Sequence, residues 1–239
     1  MAFRSAQQAR VYVGRLAAAA YARSASTDST TEMLPTHTLA DTAKASIPGE
    51  DSSSFSIAGP LDTDATADAQ YDAITDQKAA TTPTPITYMP LGTDGAAWLI
   101  EANETDIGFT GAVGQTADWS MAAETNGQTD FAGVILENAT TITDTANGSS
   151  NDLTAQTTNG GVAHLHLTAF ATATSDAITI EDSSTGSSGW ATIATFATAT
   201  GLTSERVVIT GTIKRYVRVV DTVVGGPGSV TRLVAFARR

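Results

Sequence analysis

The chain has 239 residues, contains no cysteine and carries a formal net charge of −12 at pH 7. This length fits one large β domain or two of ordinary size, and the absence of thiols excludes disulfides and thiolate metal sites. Charged residues make up 16% and aromatic residues 6% of the chain, so the composition favours thin, hydroxyl-rich sheets over an enzymatic core.

The charges form three blocks along the chain. Residues 1–23 hold four arginines and no acid, residues 24–205 hold 24 acids and two lysines, and residues 206–239 hold seven basic residues and one acid. The acidic middle excludes a general nucleic-acid-binding protein, because phosphate contacts need clustered Lys and Arg. Either the basic ends pair with the acidic middle of another copy, or acidic loops only keep the chain soluble.

The N-terminus loosely imitates a signal peptide, with Arg4, Arg10 and Arg15 around an apolar run at residues 16–20. Arg15 interrupts that run, and no stretch approaches the ~20 apolar residues that span a bilayer. We therefore expect a soluble, unprocessed protein with no membrane partner.

The first two predicted strands cover residues 9–14 and 19–31. Side chains alternate between the two faces of a strand. Asp28, Thr30 and Glu32 therefore share one face if the second segment is extended.

A Pro- and Thr-containing stretch at residues 33–48 predicts a long loop, which is a candidate for contact with a partner. Residues 54–57 then alternate strictly between polar and apolar side chains. Phe55 and Ile57 should face a core, whereas Ser54 and Ser56 should face water.

One helix is predicted next. Asp62 or Asp64 can cap it, and Ala67, Tyr71 and Ile74 lie at helical spacing on one face. It ends before a stretch that is rich in Thr and Pro, because proline cannot continue a helix.

Further strands are predicted beyond the helix, with a hairpin turn at Asn126 and Gly127. These strands cover residues 86–89, 96–102, 107–110, 117–123 and 131–137. A polar segment at residues 140–161 marks the boundary between domains. We predict a first domain over residues 1–145, a linker over 146–159 and a second domain over 160–239.

The last part of the chain contains five short β-rich runs separated by glycine-containing turns. They cover residues 163–167, 177–180, 206–209, 216–220 and 230–236. Such spacing is typical of an antiparallel sandwich. The predicted fold is therefore mainly β: an N-terminal β-sandwich with one flanking helix, followed by a second antiparallel β-sandwich.

Two groups of residues carry possible metal chemistry. His164 and His166 point to one face of a strand and would bind a metal together with a carboxylate, but spacing places no third ligand. Packed or surface histidines are the favoured interpretation. Residues 181–184 suggest a calcium loop, yet they lack the alternating acidic ligands of an EF-hand, which favours a plain hairpin loop.

Trp190, with Ile193 and Phe196, is predicted to anchor the second core, and a sugar-binding platform at Trp190 is the alternative. No Gly-x-Ser-x-Gly elbow or comparable motif marks a nucleophile. We therefore expect no enzyme, with no catalytic, cofactor or metal site.

Four motifs occur in a suggestive order ahead of the predicted helix: Tyr-Ala-Arg-Ser-Ala-Ser at 21–26, Thr-Leu-Ala-Asp-Thr at 38–42, Ile-Pro-Gly at 47–49 and Ser-Phe-Ser-Ile-Ala-Gly at 54–59. Together they resemble the major tail protein, or tail tube subunit, of long-tailed, non-contractile bacteriophages. Segments at 111–114, 133–136, 215–218 and 235–238 resemble members from phages of actinobacteria. The resemblance covers most of the chain, and its motifs are structural rather than chemical.

The resemblance implies a virion protein of the tail, made in the cytoplasm of the host bacterium. Its inner strands would join those of neighbouring copies into a barrel around a channel, and rings of six would stack into a tube for genome ejection. Tape measure protein and DNA would pass through the lumen without stable nucleic-acid binding. A carbohydrate-binding or decorating module of a virion is the alternative.

Within this interpretation, the lumen-facing residues are expected to be Asp28, Thr30, Glu32, Ser54 and Ser56. A basic wall would retain DNA, whereas an acidic or hydroxyl-lined wall lets it slide. The alternative places Asp28 and Glu32 outside, where they only aid solubility.

Contacts between adjacent subunits or rings are expected from five residues near the N-terminus and in the 33–48 segment: Arg4, Arg10, Leu39, Asp41 and Lys44. The second domain is expected on the outer surface of the tube. If it instead duplicates the tube domain and lines the channel, three chains would complete each ring.

Overall fold

The computed structural model describes residues 9–38, 42–62, 74–75, 82–92, 95–125, 131–143, 145–225 and 228–239. The fold is mainly β, as predicted. Its strands are β1 (Arg10–Val13), β2 (Leu16–Ala17), β3 (Ser24–Pro35), β4 (Ser46–Pro60), β5 (Thr84–Met89), β6 (Ala96–Thr110), β7 (Asp118–Thr125), β8 (Phe131–Ile142), β9 (Asn151–Asp152), β10 (Gly161–Ala171), β11 (Ser175–Ser183), β12 (Ala191–Thr195), β13 (Thr203–Ile209), β14 (Tyr216–Val224) and β15 (Ser229–Arg238).

These strands form two antiparallel sheets. The larger sheet has eleven described strands; its main path runs β13-β10-β15-β8-β6-β5-β1-β2, and β7 links β6 to the β3–β4 hairpin. The smaller sheet has the order β12-β11-β14-β9. All five strands predicted near the C-terminus are confirmed, whereas β12 escaped sequence analysis because Ala191–Thr195 has only one strongly apolar residue, Ile193.

The larger sheet runs without interruption from the first half of the chain into the last. β15 pairs with β8, with Phe236 opposite Val134, and β8 pairs with β6. The segment predicted as a linker contains β9, which pairs with β14. The division at residues 145 and 160 remains a prediction, while these ladders show that hydrogen bonds cross it.

Residues 161–167 of β10 are buried on both faces of the strand. Leu165 and Leu167 belong to a core shared with the smaller sheet, whereas Val162 belongs to a core that includes Tyr12 and Leu99 from the first half of the chain. A strand buried on both faces loses the clean apolar–polar alternation of a surface strand. This explains why His164 and His166 lie in the interior.

The loop predicted at residues 33–48 is shorter than expected: both of its ends are strand, whereas the described residues between them, 36–38 and 42–45, belong to no strand. β3 and β4 form a long hairpin in which Met33 lies opposite Pro48, Leu34 opposite Ile47 and Pro35 opposite Ser46. Proline is tolerated on strands whose N–H side has no partner. This condition holds for Pro48 within the described part of the sheet, where β4 pairs with β7 from Ser54 to Pro60.

Other boundaries also differ from the predictions. The strand predicted at residues 19–31 corresponds to β3, which begins at Ser24. The beginning of the predicted segment is not extended, because Ala18–Ala20 forms a 3-10 turn. Residues 96–102 and 107–110 belong to one strand, whose register shifts between Glu104 and Asp106. The Asn126–Gly127 turn lies outside the described residues.

Most of the predicted helix also lies outside the described residues, including Asp64, Ala67 and Tyr71. Of its named positions, Asp62 precedes any described helical residue, and Ile74 is helical together with Thr75. Ile74 is buried in the N-terminal core, as a residue on the apolar face of that helix should be.

The alternation predicted for β4 is confirmed. Phe55 and Ile57 are buried, and Ser54 and Ser56 are exposed. Close packing fixes the end of this strand at Gly59, where a Cβ atom would lie 1.9 Å from the carbonyl oxygen of Tyr21. Only glycine fits there, because backbone cannot yield as a flexible side chain does.

Candidate assembly surface

The β3–β4 hairpin projects beyond the strand that supports it. Residues 46–52 of β4 and their partners 30–35 of β3 have no third strand beside them among the described strands. We call these two segments the arm. β3 pairs only with β4 in the described part of the sheet, so it presents a 12-residue edge.

One exposed face of β3, β4, β7 and β6 is polar and acidic. One row across the sheet joins Asp28 of β3, Ser54 of β4 and Glu124 of β7. The next row joins Ser56 of β4, Ala122 of β7 and Asp106 of β6. We call this the polar face and define it by Ser26, Asp28, Ser54, Ser56, Asp106 and Glu124, all of them exposed. Side chains of directly paired residues lie on the same side of a sheet.

Hydroxyl pairs connect the two strands of the hairpin on this side. The Oγ atoms of Ser26 and Ser56 are 2.8 Å apart, and Thr30 Oγ1 lies 3.0 Å from Ser52 Oγ. Four of the five residues predicted to share a face, Asp28, Thr30, Ser54 and Ser56, therefore do so.

The fifth residue, Glu32, is exposed at a β-bulge. The register shifts between Thr31 and Met33, where Gly49 and Glu50 lie opposite Glu32 alone, so the extra residue of the bulge belongs to β4. Asp106 and Glu124 were not predicted as members of this face, because their place on it depends on pairing between distant segments.

Two of the five predicted contact residues can be placed. Arg10 is exposed at the start of β1, and Lys44 is exposed in the connection between β3 and β4. Arg4, Leu39 and Asp41 lie outside the described residues. The arm adds apolar residues that sequence analysis passed over, since Met33, Leu34 and Ile47 are all exposed.

The histidine pair forms a buried hydrogen-bonded chain. His166 Nδ1 lies 2.6 Å from the Gly14 carbonyl oxygen and must donate to it, so His166 Nε2 accepts the Thr87 hydroxyl at 2.8 Å. His164 Nδ1 then donates to Thr87 Oγ1 at 3.2 Å. The network assigns the Nδ1–H tautomer to both neutral rings.

Burial disfavours a charge on either ring. It lowers the pKa of His166 to about 4, with partial opposition from the Gly14 hydrogen bond. Burial, followed by the nearby His166 and Arg206, lowers the pKa of His164 well below its ordinary value. Within the described ranges, no group of three or more His, Asp or Glu is arranged to hold a metal ion. The pair connects residues 14 and 87 to β10.

A second buried polar cluster lies on the other side of the central strands. Arg232 is fully buried and bonded to Asp176; its Nε donates to Glu137 at 2.7 Å, and its Nη2 lies 3.3 Å from Asp221. The four residues come from β15, β11, β8 and β14 and so join the two sheets. Burial raises the pKa of Glu137 and of Asp221, against the opposing effect of Arg232.

The segment that follows residues 181–182, for which a hairpin loop was favoured over a calcium loop, is a turn held by its own hydroxyls. Ser183 Oγ accepts hydrogen bonds from the backbone N–H groups of Thr185 and Gly186. The neighbouring carboxylates are paired, Glu181 with Arg218 at 2.7 Å and Asp182 with Lys214 at 2.9 Å. The hairpin interpretation fits these contacts.

Trp190 does not anchor the second core, contrary to the prediction. Phe196 is buried in that core and Ile193 packs against it, but Trp190 is half-buried outside it. The guanidinium carbon of Arg218 lies 4.3 Å from the Trp190 ring centroid, in a cation–π contact. In the described part of the chain, no helix is long and apolar enough to cross a membrane.

No protein-family model and no curated protein matches the chain. It is similar to a component of the virion of a native gene transfer agent particle, with a TM-score of 0.41 and 16% identity over 53% of this chain and 96% of that one. It is also similar to SPP1 Dit, described as a paradigm of hub adsorption apparatus in phages infecting Gram-positive bacteria (TM-score 0.38, 11% identity, 96% of this chain and 99% of that one). A chain of the phage p2 baseplate gives a TM-score of 0.38 and 9% identity over 97% and 98% of the two chains.

Proposed function

We propose that the chain is a structural virion protein that assembles into stacked rings of six and forms the tube of a bacteriophage tail. The observation that carries this proposal is the β3 edge. Among the described strands β3 pairs only with β4, so the other edge of its 12 residues is available to a strand of another copy, and its outer segment is exposed. Long open edges invite association, and a closed ring satisfies every edge with a neighbouring copy.

The polar face is proposed to line the channel. It presents Asp28, Asp106 and Glu124 among serines, and no Lys or Arg belongs to its defining set. Duplex DNA carries one negative charge per ~1.7 Å of helix axis, so carboxylates repel it while hydroxyls leave it free to slide. In this proposal the second domain lies on the outer surface of the tube, and each ring then needs six chains.

The first test is the state of the purified protein. Negative-stain microscopy should show rings or tubes, and the mass of a detached ring should equal six chains. A ring of three chains would contradict the hexamer and favour two tube-like units per chain. A small oligomer with saturable affinity for glycans would instead favour a carbohydrate-binding module.

The second test reverses the electrostatics of the proposed channel wall. In assembled tubes, Ser54→Lys with Ser56→Lys should tighten the binding of short duplex DNA by about tenfold at low salt, because each phosphate contact releases counterions. Thr192→Lys with Thr198→Lys adds the same charge at exposed positions of the second half and should have little effect. Fluorescence anisotropy at several salt concentrations measures both.

Equal DNA binding by the two lysine variants would argue against the polar face as the channel wall. Binding only by the Thr192 and Thr198 variant would place the second half of the chain at the lumen. Microscopy of each variant first establishes that the tubes still form.

A further inference from the structure

Large apolar side chains are exposed at two separate places on the hairpin and its neighbours. At the end of the arm, Met33, Leu34 and Ile47 are 56%, 41% and 52% exposed; at the turn between β6 and β7, Phe109 and Val113 are 43% and 107% exposed. Solitary surface apolar residues are ordinary, but clusters mark interaction sites. We call these two clusters the arm tip and the β6–β7 patch.

The two clusters lie at opposite ends of one strand. Ile47 is near the beginning of β4, whereas Gly59 at its end pairs with Trp119, which pairs with Phe109. Twelve residues separate Ile47 from Gly59, so at ~3.3 Å per residue the clusters are about 40 Å apart. Within one chain, the arm tip therefore cannot contact the β6–β7 patch.

Both clusters are apolar, so each can bury the other's side chains. Leu34 and Ile47 pair on one face of the arm and Met33 pairs with Pro48, which makes the tip apolar on both faces. The chain between Phe109 and Ala117 contains no charged residue. Its burial therefore carries no cost of desolvating a charge, as in the core of a protein–protein interface.

From this arrangement we infer that the arm tip of one copy docks on the β6–β7 patch of the next copy along the tube axis. A contact between two different surfaces of identical chains is heterologous, and its repetition builds a linear stack instead of a closed pair. Pairing of two arm tips would leave Phe109 and Val113 uncovered. This inference rests on the proposed tube function and specifies the contact between successive rings.

The absence of native cysteine allows a direct crosslinking test. The double variant Ile47→Cys with Val113→Cys should form a ladder of disulfide-linked chains on oxidation, seen on non-reducing gels. Each single variant should give at most dimers. Mixing the two single variants should give a heterodimer that links residue 47 of one chain to residue 113 of another, identified by mass spectrometry.

A matched pair of polar variants provides a second measurement. Leu34→Ser with Ile47→Ser should raise the protein concentration needed for tube formation by about tenfold or more, because apolar burial at the contact is lost. Leu202→Ser with Val224→Ser removes two exposed apolar side chains elsewhere and should leave it unchanged.

The outcomes separate the inference from the proposed function. Stacked rings of the wild-type protein without a disulfide ladder, or with only residue 47 linked to residue 47, would overturn the head-to-tail contact and leave the tube function standing. A wild-type protein that forms neither rings nor tubes at any concentration would overturn both.

Discussion

Replacing Arg232 with Met is expected to destabilise the fold by about 4 kcal/mol. The substitution keeps a long side chain but leaves Asp176, Asp221 and Glu137 buried without their shared cation. An uncompensated buried charge costs far more than the loss of an exposed ion pair. Urea unfolding of the isolated subunit, followed by far-ultraviolet circular dichroism, measures the change.

Glu137→Gln is the matched control for this cluster. Arg232 would still donate to a side-chain oxygen at that position, and one of three negative charges around a single guanidinium would be removed. We expect a change below about 1 kcal/mol, because relief of like-charge crowding offsets the weaker hydrogen bond. A loss equal to that of Arg232→Met would show that the Arg232–Glu137 ion pair itself dominates the cluster and that relief of like-charge crowding does not offset its loss.

Acidification should weaken the fold through the histidine pair. The pKa of His166 falls to about 4 in the folded chain from about 6.5 in the unfolded chain, so between these values the unfolded chain binds more protons. The contribution is therefore fully present above about pH 6.5 and is lost as the pH falls towards 4. One such group accounts for about 3 kcal/mol, and His164 adds to it in the same direction.

The measurement is the free energy of unfolding at several pH values from 4.5 to 8. His166→Gln should flatten the pH dependence, and His37→Gln is the control substitution at an exposed histidine. Glu137 and Asp221 act with the opposite sign: their raised pKa values give a contribution that is present at low pH and lost as the pH rises. The difference between wild type and variant isolates the histidine effect. An unchanged slope in His166→Gln would contradict it.

For the histidine pair, the sequence pattern predicted the shared face of the strand but not the residues that cover that face. Alternation along residues 163–167 predicted a strand and placed His164 and His166 on one face, and both are confirmed. The partner of that face was beyond prediction, because Gly14 lies 152 residues away from His166 in the chain. A local pattern shows which side chains share a face but not which strand covers it.

In the arm, residues that form strands were predicted as part of a loop. Prolines at 35 and 48 suggested a loop, since proline interrupts central strands. The structure places both prolines in a hairpin whose outer part lacks a third strand among those described. The rule about proline is correct, but its application required knowing which strands lie at an edge.

Only some members of the polar face could be predicted from the sequence. Ser54 and Ser56 could be assigned to an exposed face from the buried Phe55 and Ile57 between and beside them. Asp106 and Glu124 joined them only through the ladders of β4 with β7 and β7 with β6. The bulge opposite Glu32, whose extra residue lies on β4, likewise shows only in the pairing of β3 with β4.

The β class, most strands and the faces of individual strands could be predicted from the amino-acid order, because alternation with period two is a local property of the backbone. The tertiary structure alone decided that β15 joins β8, that Arg232 meets three carboxylates from three strands, and that apolar clusters lie at both ends of β4. Strand pairing joins residues far apart in the chain, and its register depends on packing between whole sheets. No local pattern contains that information.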